Sequence, residues 1–97
     1  LKSYRGTMTY MAPEIKLGKE YDGRHVDVFS AGVILFIIVQ GLFPFREART
    51  EEYFYHLMLT NPSEYFKKVR GEQMSPEFKD LILRMLRYDG NDRPTIE

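Results

Sequence analysis

The sequence contains no cysteine and only two histidines among its 97 residues. Without cysteine, the chain cannot form a disulfide scaffold or a cysteine-based metal site. The two histidines, His25 and His56, do not stand in the ligand spacing of a zinc motif, which speaks against a zinc site. The absence of disulfides fits an intracellular protein, and we expect a cytoplasmic one.

The sequence also lacks an excess of either charge, since 14 basic residues balance 14 acidic ones. A protein that binds nucleic acid or an anionic membrane surface normally carries a basic excess, so we expect neither partner. The most apolar run, residues 32–39, has eight residues. That is far short of the roughly 18–20 residues that cross a bilayer. The sequence therefore predicts no membrane span.

What is present is an ordinary globular composition, with 43% hydrophobic and 29% charged residues. Apolar periodicity and capping residues predict an all-α fold after a polar, turn-rich N-terminal segment. The predicted helices are a short turn at 13–16 and longer segments at 26–40, 50–59, 62–69 and 75–87, with a further helix opening at Pro94. In the 50–59 helix the predicted apolar stripe recurs at i, i+1, i+4 and i+5, at Tyr53, Phe54, Leu57 and Met58.

The helix at 26–40 is apolar on every side, with Asp27 as a negative charge at its start. A helix without a solvent face needs neighbours all round it, and the other predicted helices are too few to supply them. The chain also opens without methionine and ends at the helix signal that begins with Pro94. We therefore expect it to be a fragment of a larger domain.

Four short strings carry most of the functional information. They are Gly-Thr-Met-Thr-Tyr-Met-Ala-Pro-Glu at 6–14, Asp-Val-Phe-Ser-Ala-Gly at 27–32, Gly-Leu-Phe-Pro-Phe at 41–45 and Asp-Arg-Pro-Thr at 92–95. In this order they resemble the end of the activation segment, the opening of the central helix, the turn after that helix and a late loop of eukaryotic protein kinases. The turn at 41–45 looks most like that of the calcium/calmodulin-dependent group. The sequence therefore resembles a Ser/Thr protein kinase.

The resemblance implies the helical C-terminal lobe of a kinase domain, incomplete, with an irregular activation-segment loop. Residues 1–25 would form the activation segment and the substrate-positioning loop, and residues 26–97 the helical lobe. Family members with this architecture transfer the γ-phosphoryl group of ATP, as its magnesium complex, to protein hydroxyl groups.

The resemblance also implies roles for individual residues. Thr7 would support catalysis through hydrogen bonds to the catalytic aspartate and lysine, and it favours a Ser/Thr kinase. Glu14 and Arg93 would form an ion pair, and Asp27 would anchor the catalytic loop. The substrate-positioning residues would be Gly6, Thr7, Met8, Thr9, Tyr10 and Met11. Met8 departs from the proline that many relatives carry at that position, which alters the expected pocket.

Simpler interpretations stay open for several of these residues. Thr7 can be an ordinary turn hydroxyl, and Asp27 can serve only as a charge at the helix start. Ser3 lies where many activated kinases carry a phosphate, but a free loop serine fits equally well. The short basic run of Lys67, Lys68 and Arg70 is adequately explained as a solvated surface.

The glycine-rich loop, the strand lysine and the His-Arg-Asp and Asp-Phe-Gly motifs of kinases have no counterpart in the sequence. We therefore expect ATP and Mg²⁺ to bind the intact parent and not this chain, and we expect the chain alone to be inactive. The expected partners are a protein substrate and the missing N-terminal part of the kinase domain. The main alternative is a pseudokinase-like scaffold or protein-binding helical module; a helical nucleic-acid-binding module conflicts with the neutral charge.

Overall fold

The computed structural model describes residues 11–18 and 20–95, and regular structure within those ranges is entirely helical. The elements are α1 (Pro13–Lys16), α2 (Gly23–Gln40), α3 (Tyr53–Thr60), α4 (Pro62–Lys68), α5 (Pro76–Met85) and a 3₁₀ turn (Gly90–Asp92). The predicted all-α class is confirmed. Of the further helix predicted to open at Pro94, the structure describes only Pro94 and Thr95, which are not helical, and the rest lies outside the described residues.

Helix α2 begins at Gly23, three residues earlier than the sequence predicted, because Asp22 provides the N-cap. The Asp22 carboxylate accepts hydrogen bonds from the backbone N–H of Arg24 at 2.8 Å and from its guanidinium at 2.9 Å. The hydrogen bond from the Arg24 side chain lowers the pKa of Asp22 to about 2. Asp27 is therefore the fifth residue of the helix, and its prediction as the charge at the helix start was wrong. The predicted boundary between residues 25 and 26 likewise falls inside α2.

Only one face of α2 is covered by the residues that the structure describes. Phe29, Val33 and Phe36 are buried on that face, whereas Ile38 on the opposite face is 73% exposed. By its length of 18 residues and its mean hydropathy of 1.4, α2 could also cross a membrane. The eight-residue apolar run, from which the sequence predicted no membrane span, is only part of this 18-residue helix. A single such helix is weak evidence for a span, because core helices pass the same test, and the covered face of α2 packs against α5.

The contact between α2 and α5 is centred on Gly32. A Cβ atom at Gly32 would lie 2.9 Å from the Cβ of Met85 and 3.0 Å from the Cδ2 of Leu86. Glycine at this position therefore allows the two helices to approach closely. Helix α5 begins as predicted, with the Ser75 hydroxyl accepting a hydrogen bond from the backbone N–H of Phe78 at 3.1 Å.

Helix α3 differs from its prediction in length and in the residues it buries. Glu52 caps it by accepting a hydrogen bond from the backbone N–H of Tyr55, so the helix starts at Tyr53. Of the four residues in the predicted apolar stripe, Met58 is buried and Phe54 and Leu57 pack against the core, but Tyr53 is exposed, so its place in the stripe was wrong. Tyr55, which the stripe did not include, is fully buried. Tyr55 can be buried because its hydroxyl donates to the carbonyl of Leu86 at 2.9 Å. This bond joins α3 to the end of α5.

Candidate functional site

The most elaborate polar site in the described residues is built around Arg93. Its side chain is completely buried, and its guanidinium forms a two-bond fork with the Glu14 carboxylate, at 2.8 Å to Oε2 and 2.9 Å to Oε1. The two residues are 79 positions apart in the sequence. The structure thus brings together the pair that the resemblance singled out, in the geometry in which arginine binds carboxylates most strongly.

The remaining N–H groups of Arg93 are also hydrogen-bonded. Nε donates to the carbonyl of Arg87 at 2.9 Å, Nη1 to that of His25 at 2.9 Å and Nη2 to that of Tyr88 at 3.1 Å. Together with the fork, these bonds use the five donors that a guanidinium possesses. Arg93 therefore satisfies its own hydrogen-bonding capacity while joining α1, the first turn of α2 and the segment after α5. We call this arrangement the Arg93 junction.

The apolar side of the Arg93 junction is the ring of Phe29, which lies 4.9 Å from the Cζ atom of Arg93. Phe29 in turn contacts Phe45 and Tyr55, with ring centroids 6.1 and 6.4 Å apart. A cation over an aromatic face is attracted by the ring quadrupole, and the attraction is stronger when the pair is removed from water. The junction is therefore continuous with the aromatic core of the helices.

Glu14 is the second residue of α1, and its side chain is only 16% exposed. Burial alone would raise the pKa of this carboxyl group, but the hydrogen bonds and the positive charge of Arg93 outweigh it. The pKa of Glu14 therefore lies below its ordinary value of 4.5. The carboxylate stays ionised at neutral pH, which is what the fork with Arg93 requires.

This pKa predicts how stability depends on pH. Because folding lowers the pKa of Glu14, the carboxylate stabilises the fold above pH 4.5 and loses that contribution as the pH falls through its folded-state pKa. We expect the melting temperature of the whole protein to fall more steeply below pH 4.5 than that of a Glu14→Gln variant, whose side chain does not titrate. Thermal melts of both proteins from pH 7 to pH 3 test this, and parallel curves would contradict it.

Gly90 in the 3₁₀ turn allows the junction to close. A Cβ atom at Gly90 would lie 2.8 Å from the Cβ of His25 and 3.0 Å from Oε2 of Glu14. A larger residue would therefore push against both the start of α2 and the carboxylate of the fork. The string at 92–95 predicted a role for Arg93, but it gave no indication that Gly90 lies this close to His25 and Glu14.

The other predicted site residues are only partly described. Gly6, Thr7, Met8, Thr9 and Tyr10, together with Ser3, lie outside the described residues, so their predicted roles stay predictions. Met11 is half-buried and directly precedes Ala12, which is fully buried beside α1. Met11, the last of the residues predicted to position the substrate, therefore lies three positions before Glu14 of the Arg93 junction.

Asp27 lies exposed in the second turn of α2. Among residues 11–18 and 20–95, no hydrogen-bond or ion-pair partner of its carboxylate is found. A carboxylate in this state can accept hydrogen bonds from a segment that packs against this side of the helix.

Several residues of the site could not be found from the sequence strings. Three residues, Gly23 to His25, separate the Asp22 cap from the apolar part of α2, so the usual signal of a cap directly before an apolar run is absent. The carbonyls of His25, Arg87 and Tyr88 carry no side-chain signal, because any residue supplies a backbone acceptor. Their role depends on where the chain turns after α5.

Comparisons with known proteins extend over the whole chain. A family model described as the protein kinase domain matches residues 1–97. An SNF-related serine/threonine-protein kinase from Homo sapiens is 44% identical over 95 residues, which cover 95% of this chain and 11% of that protein. The probable serine/threonine-protein kinase MARK-A of Dictyostelium discoideum is 40% identical over 100 residues, which cover 100% of this chain and 9% of that protein.

A solved structure shows the same fold. The crystal structure of the Rad53 kinase domain and SCD2 matches 93% of this chain with a TM-score of 0.64 and 28% sequence identity. The match covers 33% of that chain. The chain therefore spans about a tenth of these two curated relatives and a third of the solved chain.

Proposed function

The chain belongs to the protein kinase domain family, and from that membership we propose that the protein containing it transfers the γ-phosphoryl group of ATP to Ser and Thr hydroxyls of proteins. The observation that carries the proposal is the Arg93 junction, because it joins the end of the Ala-Pro-Glu motif to the Arg-Pro-Thr motif through two hydrogen bonds. The resemblance places the first motif at the end of the activation segment and the second in a late loop of the helical lobe.

In this proposal the chain positions the substrate rather than supplying the catalytic base. The junction fixes Glu14, and with it the buried Ala12, against the start of α2. Residues Gly6 to Met11 are then held at one end, and we assign them to the wall that receives the substrate segment. Fixing reacting groups in place is a major source of rate enhancement, so a rigid anchor matters even at a distance from the chemistry. Ser3 is proposed as a phosphorylation site that regulates this segment.

The nucleotide and its metal ion belong elsewhere in the proposed protein. Among the residues the structure describes, no group of three or more His, Asp or Glu side chains could hold a metal ion. The sequence also has no counterpart of the glycine-rich loop or of the His-Arg-Asp and Asp-Phe-Gly motifs, and we propose that ATP and Mg²⁺ both bind to the part of the kinase domain outside this chain. The exposed carboxylate of Asp27 is proposed to anchor the catalytic loop from that part.

We expect the whole protein to phosphorylate peptide pools that contain Ser or Thr, and not pools whose only hydroxyl acceptor is Tyr. Thr7→Ala should lower kcat/KM by about 10- to 150-fold, since a hydrogen bond to a charged group contributes about 1.5–3 kcal/mol. Radiolabelled ATP and initial rates provide the measurement. Thr50→Ala, an exposed threonine in a loop, is the matched control and should leave the rate unchanged.

The same assay separates the enzyme from the scaffold alternative. A whole protein that folds and binds partners but transfers no phosphate to any pool would overturn the kinase proposal in favour of a pseudokinase-like scaffold. The 97-residue chain alone should transfer no phosphate; transfer by the purified chain above a buffer control would contradict the proposal that the catalytic residues lie outside it.

A further inference from the structure

The basic run near the end of α4 does not form one continuous solvated surface. Lys67 lines a groove between α4 and α5, whereas Lys68 and Arg70 line a different groove beside the turn that follows α2. Adjacent lysines thus face two separate surfaces. The interpretation of this run as a solvated face misses the second groove.

The second groove has a volume of about 230 Å³ and an apolar floor made by Leu42, Phe43, Phe54 and Val69. Leu42 is 39% exposed and directly follows Gly41, which ends α2 with φ at 79°. A cavity of this size receives one large side chain and is smaller than the usual sites for small-molecule ligands. The groove therefore fits an apolar anchor residue better than a free metabolite.

The cationic rim of this groove is held in place by the end of α2. The side-chain amide of Gln40 donates to the carbonyls of Val69 at 2.9 Å and of Arg70 at 2.6 Å. Arg70 has a φ of 60°, the left-handed conformation, and the next N–H, of Gly71, donates to the carbonyl of Phe66 at 2.7 Å. The backbone that carries both cations is thus fixed before any ligand arrives, which lowers the entropy cost of binding.

The charges on the rim all have the same sign. Lys68 and Arg70 are the charged residues that line the groove, and neither forms an ion pair within residues 11–18 and 20–95. We propose that this groove docks a segment of a partner protein in which a Leu or Phe side chain is flanked by Asp or Glu. The apolar residue fills the groove and the carboxylates meet Lys68 and Arg70.

A protein segment explains these features better than a lipid surface. Lipid binding by basic clusters uses about 4–8 Lys or Arg residues on a broad surface, whereas two cations border this narrow concave groove. The proposed docking is independent of phosphoryl transfer, since the groove is formed by residues outside the Arg93 junction and the substrate-positioning segment. Its failure would leave the kinase proposal untouched.

The test measures binding of fluorescein-labelled peptide pools to the whole protein by anisotropy, without ATP. One pool carries a fixed Leu or Phe flanked by Asp and Glu, and the second carries Lys in place of the acidic residues. We expect the acidic pool to bind and the basic pool not to bind. Lys68→Glu should weaken binding at least about tenfold, because like charges then face each other. Arg70→Gly should also weaken it while keeping the left-handed backbone.

Lys67→Glu is the matched control, since it makes the same charge change one residue away but faces the other groove. We expect it to change the dissociation constant by less than about twofold at physiological salt. Leu42→Ser removes apolar side-chain atoms from the floor of the groove. It should weaken binding of the acidic pool without changing the melting temperature.

Three results would overturn the proposal. The first is equal binding of the acidic and basic pools. The second is equal loss of binding in Lys67→Glu and Lys68→Glu, which would indicate general electrostatic attraction. The third is binding to vesicles of equal phosphatidylcholine and phosphatidylserine content that depends on Lys68 while no peptide pool binds, which would assign the groove to membranes.

Discussion

Arg93→Met is expected to lower the free energy of unfolding of the whole protein by about 3–5 kcal/mol, because it leaves the Glu14 carboxylate in a mostly buried position without its partner. The substitution also leaves the carbonyls of His25, Arg87 and Tyr88 without the donor they share. Arg93→Lys should recover only part of the loss. An ammonium group has three donors and cannot form the fork, so at least two of the acceptors stay unpaired.

A double-mutant cycle tests whether the two side chains act as one unit. Glu14→Gln should destabilise the protein to an extent comparable with Arg93→Lys, and the double variant should lose less than the sum of the two. Urea unfolding of the four proteins gives the coupling free energy. If the losses of the two single variants simply add up in the double variant, the interaction between Glu14 and Arg93 makes no contribution of its own to the free energy of unfolding.

The control for this cycle is a second arginine–carboxylate pair. Arg84 and Asp80 form an i, i+4 pair on α5 with 3.1 Å between Nε and Oδ2, and both side chains are exposed. Exposed pairs of this kind contribute about 0.3–0.5 kcal/mol, since water already solvates both charges. Arg84→Lys should therefore be nearly neutral. A loss as large as that of Arg93→Lys would mean that burial does not account for the difference between the pairs.

The sequence predicted the contact of Glu14 with Arg93 better than it predicted the ends of the helices. Both residues stand in distinctive strings, so the resemblance alone named the pair. The surroundings of Arg93 were not predictable, because backbone carbonyls and the close approach of Gly90 depend on how the chain folds after α5. The start of α2 was missed for a different reason: the Asp22 cap lies in a polar segment where hydrophobic periodicity gives no signal.

Burial on α3 illustrates a further limit of sequence patterns. Periodicity identified an apolar helix but not its rotation, since Tyr, Phe, Leu and Met stand in nearly consecutive positions there. The hydroxyl of Tyr55 decides the rotation, because it finds an acceptor in the carbonyl of Leu86. A buried tyrosine needs such an acceptor, and that acceptor lies 31 residues away.

The sequence predicted that α2 is apolar on every side. The structure shows which side is covered, and by which residues. Phe29 contacts Phe45, Tyr55 and the guanidinium of Arg93. Ile38 is on the side that the described residues leave open. If the part of the proposed kinase domain outside this chain covers that side, then shortening a side chain to alanine should have different effects on the two faces of α2.

Phe29→Ala should cost about 3–5 kcal/mol in the 97-residue chain and in the whole protein alike, because it opens a cavity in the aromatic core in both. Ile38→Ala should cost less than about 0.5 kcal/mol in the chain, where the side chain is exposed. In the whole protein the same change should cost about 2–5 kcal/mol. Urea unfolding of each variant in both contexts gives these values, with Phe29→Leu as a milder variant where Phe29→Ala unfolds the chain. An Ile38→Ala effect that stays near zero in the whole protein would show that nothing packs on the open face of α2, and that its apolar surface must be explained without the rest of a kinase domain.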